Sequence, residues 1–287
     1  MKTGEELGFE IQYLYPFWGS EALTCSDFFD RVLESGFDGI EINLPNDAGF
    51  ISSFPSELEK VKVQKANFQF IAQQVMDIQV ETPGEYLKRV LNRLHEVSAF
   101  EPDAINSHTG KDYYSVEENC RIIEAIEDFS SKSGIPVFHE IHRGRFSFHS
   151  ASTIRYIKEF PELKLVGDFS HWCLVSESLL QDQEDILNQL YPHIHHIHAR
   201  IGTEQASQIT APFAPEWTTQ LMSFLGFWQK MIDTAKQKGM SSITITPEFD
   251  PFPYMPEIPF TRQTFYNQHS MNVTIKEWLE NELTIQA

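Results

Sequence analysis

The chain has 287 residues, of which 41% are hydrophobic, and this length is enough for one large core such as an α/β barrel requires. Its 22 basic and 41 acidic residues give a formal net charge of −19. Nucleic acid is therefore disfavoured as a partner, because phosphate contacts need clustered Lys and Arg.

Cysteine usage and hydropathy place the protein in a reducing, aqueous compartment. Cys25, Cys120 and Cys173 are odd in number and form no CxxC pair, so neither a disulfide framework nor a thiolate zinc site is indicated. No stretch approaches the roughly 20 apolar residues of a membrane span, and Met1 to Glu10 lacks the apolar region of a leader. We therefore expect a cytoplasmic protein with no membrane partner.

Eight short apolar runs alternate with helix-like segments along the chain. The runs begin at Ile11, Gly39, Phe68, Asp103, Val137, Leu163, Ile194 and Ser242. Helical patterns are predicted over 26–35, from residue 82, from residue 115, and over 150–160, 176–190 and 216–238, with a closing helix over 275–283. This alternation predicts one (β/α)8 TIM-barrel domain over 1–287 with a C-terminal closing helix. A doubly wound sheet is disfavoured, because no Gly-rich phosphate turn follows any early strand.

The last four apolar runs each end in a residue that could bind a metal ion. Glu140, Asp168, His198 and Glu248 follow the fifth to eighth runs in order. The carboxyl ends of barrel strands meet on one face, so these side chains should converge there. Hard oxygen ligands with one imidazole suit Mn²⁺ or Mg²⁺, with Co²⁺ and Zn²⁺ as alternatives. We predict one divalent ion with two positions left for substrate oxygens.

Each of these residues also has a purely structural interpretation. Glu140 could form an ion pair with Arg143, and Asp168 could cap a helix. Glu248, between Pro247 and Phe249, is the hardest to explain by structure alone, because nothing else in that apolar setting demands a carboxylate.

The same residues carry a resemblance to a known superfamily. Strand five ends in a Glu (Glu140), and strand six is followed by an Asp-x-x-His (Asp168, His171). Strand seven carries a His-x-His (His196, His198), and strand eight is followed by a Glu (Glu248). This order resembles the xylose isomerase-like TIM-barrel superfamily, and more narrowly its sugar phosphate isomerase/epimerase group. The resemblance spans the whole barrel and is unspecific for substrate.

The resemblance implies a metal-dependent isomerase or epimerase with a small carbohydrate-like substrate. In that group two metal-bound glutamates flank the substrate, so Glu140 and Glu248 would be the catalytic pair. One would remove the proton next to the carbonyl and the other would return it, while the metal stabilises the enediolate. His171 would hydrogen-bond the substrate oxygen or a metal-bound water. A metal-dependent dehydratase of a keto-polyol would use the same ligands.

Further polar residues near the strand ends are candidate substrate contacts. Besides His171, these are His108, Lys111, His142, Arg143, His196 and Arg200. The cations among them could hold a carboxylate or phosphate, Arg doing so bidentately. Trp18, Trp172 and Phe213 are candidate apolar walls, and the loop 202–215 is expected to cover the site.

Two other functions remain open on this sequence. Endonuclease IV resembles the chain in fold and in several of these residues, but it needs three zinc ions. Its extra ligands, a His on strand three and an Asp-x-His after strand seven, have no counterpart in Ile71 to Val75 or between His198 and Glu248. A catalytically silent binding barrel would be signalled by loss of Glu140 or Glu248, and both are present. The sequence leaves a homo-oligomer open.

Overall fold

Eight parallel strands form a closed barrel in the computed structural model, which describes residues 8–285. Each strand pairs with the next in sequence, and the first pairs with the eighth. The strands are β1 (Glu10–Pro16), β2 (Gly39–Ile42), β3 (Gln69–Gln74), β4 (Ala104–Ser107), β5 (Val137–Glu140), β6 (Leu165–Gly167), β7 (Ile194–Ala199) and β8 (Ser242–Pro247). The predicted (β/α)8 barrel is thereby confirmed.

Helices connect these strands and surround the barrel. They are α1 (Cys25–Glu34), α2 (Ala48–Gln64), α3 (Pro83–Ser98), α4 (Val116–Ser133), α5 (Ser150–Glu159), α6 (Phe169–Ser176), α7 (Glu184–Leu190), α8 (Thr218–Gln237) and α9 (Gln268–Glu282). Helix α9 is the predicted closing helix and begins seven residues earlier than expected. A small hairpin of β9 (Glu257–Ile258) and β10 (Gln263–Thr264) lies between β8 and α9.

Helix α2 is not among the predicted elements. The Asp47 side chain caps it by accepting a hydrogen bond from the Phe50 amide at 2.6 Å. Its buried residues are Phe50, Phe54, Leu58 and Val61, which recur at helical spacing. Pro55 lies inside the helix, where a proline normally signals a break, and this explains why the sequence pattern does not indicate a helix here.

The predicted single helix over 176–190 is wrong. Helix α6 instead starts directly after β6, because the Asp168 carboxylate accepts a hydrogen bond from the Ser170 amide at 3.0 Å and caps it. The helix ends at Glu177, which has left-handed backbone geometry, and α7 follows after a turn. This early start brings His171, in the first turn of α6, to the end of the barrel.

The barrel interior is apolar at one end and polar at the other. Leu14, Ile71 and Ala104, with Phe138, form a small core that is separate from the large core. Side chains alternate along a strand, so residues two positions apart face the same side. Gln73, Asn106 and Glu140, which follow Ile71, Ala104 and Phe138 by two positions, therefore also face the barrel interior. On β2 the matching positions are Gly39 and Glu41. A Cβ at Gly39 would meet Gln69 O at 2.3 Å and Leu14 Cδ2 at 2.6 Å, so only glycine fits beneath Glu41.

Within residues 8–285, no helix combines the length and apolar character needed to cross a membrane. The prediction that Met1 to Glu10 carries no leader falls mostly on residues outside the described range.

Candidate active site

A cavity of about 390 Å³ opens where the strands end at their carboxyl side. Its walls come from the segments after β1, β2, β3, β4, β5, β7 and β8. The lining residues are Phe17, Trp18, Glu21, Asn43, Leu44, Pro45, Asn46, Gln73, Val75, His108, Glu140, His142, Arg200, Glu248, Asp250 and Tyr254. Aromatic rings, amides and carboxylates therefore share one concave surface, as is usual for small-molecule sites.

The four predicted metal ligands lie close together, with Glu140 and Glu248 in the cavity lining and Asp168 and His198 buried beside them; we call this group the floor of the cavity. Asp168, His198 and Glu248 each offer a ligand atom within 4.8 Å of the others, and Glu140, Asp168 and His171 do the same. His198 Nδ1 lies 2.8 Å from Glu248 Oε2 and 4.0 Å from Glu140 Oε2. All these side chains are buried.

Glu41, a residue that sequence reasoning missed, holds His198 from the other side of its ring. Glu41 Oε1 lies 2.9 Å from His198 Nε2, and its Oε2 accepts a hydrogen bond from the Thr246 hydroxyl at 2.6 Å. Glu41 is only 1% exposed. Burial raises its pKa, but His198 and His196 lower the pKa more, so it lies well below the usual range. The available signal was a carboxylate inside the apolar run Ile40-Glu41-Ile42.

The contact with Glu41 determines which nitrogen of His198 can bind a metal. An ionised carboxylate only accepts hydrogen bonds, so the His198 Nε2 that faces Glu41 carries a proton. The Nδ1 atom is then the nitrogen directed toward Glu248 and Glu140. A carboxylate behind a metal-binding histidine is the common arrangement for fixing its ring and tautomer.

Several features of the floor fit a divalent cation. His198 Nδ1 and Glu248 Oε2 are buried 2.8 Å apart, and a ligand atom of Asp168 lies within 4.8 Å of both residues. Burial, and secondarily Glu248, raises the pKa of Asp168 to about 6 although Arg200 lowers it. The same causes raise the pKa of Asp250 to about 7. The floor is thus short of positive charge, and a cation between the ligand atoms would supply it.

Arg200, predicted as a substrate contact, instead serves as counter-ion to three buried carboxylates. Its guanidinium lies 3.1 Å from Asp168, 2.8 Å from Glu248 and 2.8 Å from Asp250. The Tyr254 ring covers it, with the guanidinium carbon 4.2 Å from the ring centroid. Arg200 touches the cavity but is only 3% exposed.

An arginine fixes the tautomer of His108 beside Glu140. Arg145 Nη2 lies 3.2 Å from His108 Nδ1, and because Arg only donates, this Nδ1 must accept. The proton of neutral His108 is therefore on Nε2, which lies 3.1 Å from Glu140 Oε1. Asn106 Nδ2 donates to the other oxygen of Glu140 at 2.7 Å. Burial raises the pKa of Glu140, but His108 and His198 more than offset this and hold it well below its usual range.

A second arginine acts in the same way on His171. Arg143 Nη1 donates to His171 Nδ1 at 3.0 Å, so neutral His171 carries its proton on Nε2. That Nε2 is buried, lies 3.4 Å from Asp168 Oδ2 and has no hydrogen-bond partner within the described part of the chain. Burial and the neighbouring His142 lower the pKa of His171 well below its usual range, which keeps the ring neutral. His171 is thus a hydrogen-bond donor aimed at the floor.

His142 stacks between the two other imidazoles. Its ring centroid lies 4.6 Å from that of His108 and 3.9 Å from that of His171. Burial lowers the pKa of His142 well below its usual range. His108 and His142 both line the cavity, as expected for candidate substrate contacts.

The comparisons with known proteins bear on the fold. No protein-family profile and no curated protein sequence matches the chain. A xylose isomerase domain protein from Salmonella typhimurium matches over 98% of this chain and 100% of its own, with TM-score 0.65 and 14% identity. The chain has the xylose isomerase-like TIM-barrel fold. The resemblance inferred from the residue order is thereby confirmed for the fold.

Other solved structures with the xylose isomerase-like fold have assigned activities or a bound metal. The probable 3-DHS dehydratase AsbF from Bacillus anthracis matches with TM-score 0.62 and 16% identity, over 95% of this chain and 99% of its own. The 3-keto-D-glucoside 4-epimerase YcjR from E. coli matches with TM-score 0.55 and 14% identity, over 95% and 100%. The IOLI protein, solved with a zinc atom, matches with TM-score 0.63 and 10% identity, over 94% and 97%.

Three predicted substrate contacts lie away from the main cavity of this xylose isomerase-like barrel. His196 is buried inside the barrel, where its Nε2 lies 3.1 Å from Glu41 and its Nδ1 lies 2.6 Å from Thr244 Oγ1. Lys111 places its ammonium 5.2 Å from the Tyr86 ring centroid. Arg143 lines a second, open cavity of about 330 Å³.

The expected cover of the site also differs. The loop 202–215 contributes Ala206, Ser207 and Gln208 to the second cavity and no residue to the main one. The segment after β8 takes this place, with Asp250 and Tyr254 in the wall. Of the three predicted aromatic walls, Trp18 lines the main cavity, whereas Trp172 is buried and Phe213 packs on Trp278.

Proposed function

We propose that the protein is a divalent-metal-dependent sugar isomerase or epimerase. Glu140 and Glu248 would move the proton on the carbon next to the substrate carbonyl. The observation that carries this proposal is the placement of both carboxylates in one cavity, each within 4.0 Å of the same nitrogen of His198. Two carboxylates in one small site suit removal of a proton by one of them and its return by the other.

Asp168, His198, Glu248 and Glu140 would hold the metal ion. When bound, the ion would polarise the substrate carbonyl and so acidify the neighbouring C–H bond. The mixture of carboxylate oxygens and one imidazole suits Mn²⁺, Mg²⁺, Co²⁺ or Zn²⁺. The zinc atom in the IOLI protein, which has the same fold, supports a metal here as well.

The surroundings of Glu140 hold its carboxylate ionised and in a fixed orientation. Its pKa lies well below the usual range, so Glu140 is deprotonated at neutral pH, as a base must be before it accepts a proton. Asn106 and His108 each donate to one of its oxygens, which fixes the carboxylate plane. Glu248 lines the cavity, where its Oε2 lies 2.8 Å from both His198 Nδ1 and Arg200 Nη2. His171 Nε2–H would donate to a substrate oxygen.

A dehydratase is the second candidate. The same base would remove the proton next to the carbonyl, and the hydroxyl group on the next carbon would then leave as water by taking up that proton. The buried Nε2–H of His171, which has no partner among the described residues, could hydrogen-bond that departing hydroxyl. The fold of the probable dehydratase AsbF is compatible with this chemistry.

Exchange of the α-proton in D₂O tests the proposal directly. The Mn²⁺-loaded protein would be incubated with ketoses and aldoses, and deuterium incorporation and product identity would be followed by NMR. We expect exchange with isomer formation in the parent and its loss in Glu140→Gln and Glu248→Gln. Glu59→Gln, an exposed position on α2, is the matched control. Loss of water from the sugar would indicate the dehydratase, and unchanged exchange in either cavity variant would contradict the proton-transfer roles.

A further inference from the structure

We infer that the substrate of this site is an uncharged sugar or polyol, and that Tyr254 enforces this choice by covering the guanidiniums of Arg143 and Arg200. The inference rests on the proposed function and narrows its substrate class. It departs from the sequence-based expectation that Lys111, Arg143 and Arg200 would hold a carboxylate or phosphate.

The cations near the site are already engaged elsewhere. Arg200 pairs with three carboxylates. Arg143 donates to His171 and, at 2.7 Å, to Ser207 Oγ, and it opens onto the second cavity. Arg145 donates to Nδ1 of His108. A phosphate or carboxylate entering the main cavity would therefore find no guanidinium fork free for bidentate binding.

The cavity wall is itself acidic. Glu21, Glu140, Glu248 and Asp250 line it, and Arg200 is the one Lys or Arg residue in the lining. A bound divalent ion would reduce this excess of negative charge without reversing it. An anionic substrate would meet like charges at close range in a partly desolvated site, which costs binding free energy.

The remaining lining groups suit hydroxyl groups and an apolar sugar face. Asn43, Asn46 and Gln73 line the cavity, and side-chain amides can both donate to and accept from hydroxyls. Asn43 Oδ1 also accepts from Arg93, and Gln73 Nε2 also donates to Glu41. Trp18 and Tyr254 form an aromatic corner with ring centroids 5.7 Å apart. Such rings offer flat apolar surface to the C–H face of a sugar.

The Tyr254 ring packs over the guanidiniums of Arg200 and Arg143. Its ring centroid lies 4.2 Å from the guanidinium carbon of Arg200 and 5.1 Å from that of Arg143. The residue lines both the main and the second cavity. Removing the ring would join the two cavities and expose two cations to the substrate.

Matched sugars that differ only in charge test the substrate class. The probes are D-fructose, D-fructose 6-phosphate and D-fructuronate, with D-xylulose and its 5-phosphate as a second set. Binding to the Mn²⁺-loaded protein, dialysed free of excess metal, would be measured by calorimetry, and α-proton exchange would be measured in D₂O. We expect the neutral member of at least one set to bind at least about tenfold more tightly than its charged partners.

Two variants assign the selectivity to the Tyr254 ring. In Tyr254→Ala the advantage of the neutral sugar should shrink about tenfold or reverse, because Arg143 and Arg200 become accessible. Tyr254→Phe keeps the ring over both guanidiniums and should keep the parent ratio of affinities. An unchanged ratio in Tyr254→Ala would refute the role of the ring.

The outcomes separate this inference from the proposed function. Binding of a charged partner as tightly as its neutral sugar would overturn the inference even if exchange occurs. Preferred binding of neutral sugars without any exchange would support the inference and refute the proposed chemistry. Failure of every probe to bind would overturn both.

Discussion

Replacing Glu41 by glutamine should weaken divalent-metal binding about 10- to 100-fold while the barrel stays folded. The reason lies in the hydrogen bonds of Glu41. Its carboxylate accepts from the Thr246 hydroxyl at 2.6 Å and the Asn106 amide at 2.9 Å, and it faces both His196 and His198. Glutamine has the same shape, but one of its two terminal atoms becomes a donor in a pocket built entirely around an acceptor.

The expected size of the effect follows from the His198 tautomer. His198 Nε2 lies 2.9 Å and 3.0 Å from the two oxygens of Glu41, so an amide nitrogen at either position could donate to it. That contact would move the ring proton to Nδ1, the atom directed at Glu248. The loss of 10- to 100-fold in affinity corresponds to about 1.4–2.8 kcal/mol.

Two measurements check this prediction without relying on turnover. Competition with a fluorescent chelator gives the Kd for Mn²⁺ or Zn²⁺, and ¹⁵N NMR of the histidine rings in the Zn²⁺-loaded protein reports the tautomer of His198. Thr244→Val is the matched control, because the Thr244 hydroxyl lies 2.6 Å from Nδ1 of the neighbouring His196 rather than beside His198. We expect its metal affinity to stay near that of the parent. A folded Glu41→Gln protein with parental affinity and an unchanged His198 tautomer would refute the reasoning.

Three further predictions concern proton linkage, packing and thiol reactivity. Asp168, whose pKa burial raises to about 6, and His198, whose pKa the surrounding glutamates raise despite its burial, must both lose protons to bind a metal. Protons compete with the ion, so the Kd for Mn²⁺ should fall as pH rises. The fall should be about 100-fold per pH unit below pH 6, where both groups release protons, and about tenfold per unit above it, where only His198 does. A Kd that calorimetry finds independent of pH would contradict these protonation states. Phe54→Ala should lower the free energy of unfolding by about 3–5 kcal/mol in urea denaturation. The reason is that its ring is fully buried and contacts Phe29, Phe50, Phe70 and Phe100. A loss below about 1 kcal/mol would show that neighbouring side chains move in and fill the cavity. Cys120 should react with iodoacetamide before Cys173. Burial raises the pKa of both thiols, but Cys120 is half-buried whereas Cys173 is fully buried. Mass spectrometry of the native protein gives the order of labelling, and earlier labelling of Cys173 would contradict the prediction.

The barrel could be predicted because its signal is repeated eight times. Each strand is a short apolar run, and a shift of a few residues at one boundary does not change the count. Helix α2 escaped the same reasoning because Pro55 interrupts its pattern, and tertiary packing of Phe50 and Phe54 outweighs that local signal. The turn between α6 and α7 was missed because the left-handed backbone at Glu177, which follows the end of α6, leaves no periodic pattern in the sequence.

The candidate ligands could be predicted from their position, but their partners could not. Glu140 and Glu248 end apolar runs, and the topology of a parallel barrel then brings them together. Glu41 sits in the middle of a strand and meets His198 across the barrel interior, a contact between residues 157 positions apart. The sequence does not show that Glu41 and His198 lie close in space, because their contact depends on how the eight strands pair to close the barrel.

The arginines show most clearly why residue type alone did not predict function. A guanidinium near a strand end can face the substrate or turn away from it, and in this protein the choice follows from charge. The floor buries Asp168, Glu248 and Asp250 together, and leaving these carboxylates without a cation would cost several kcal/mol. Arg200 pairs with all three and is therefore not free to bind a substrate anion. Arg143, held by His171 and Ser207, completes the arrangement behind Tyr254. The acidity that makes the floor suitable for a metal ion therefore also removes the cations that an anionic substrate would need.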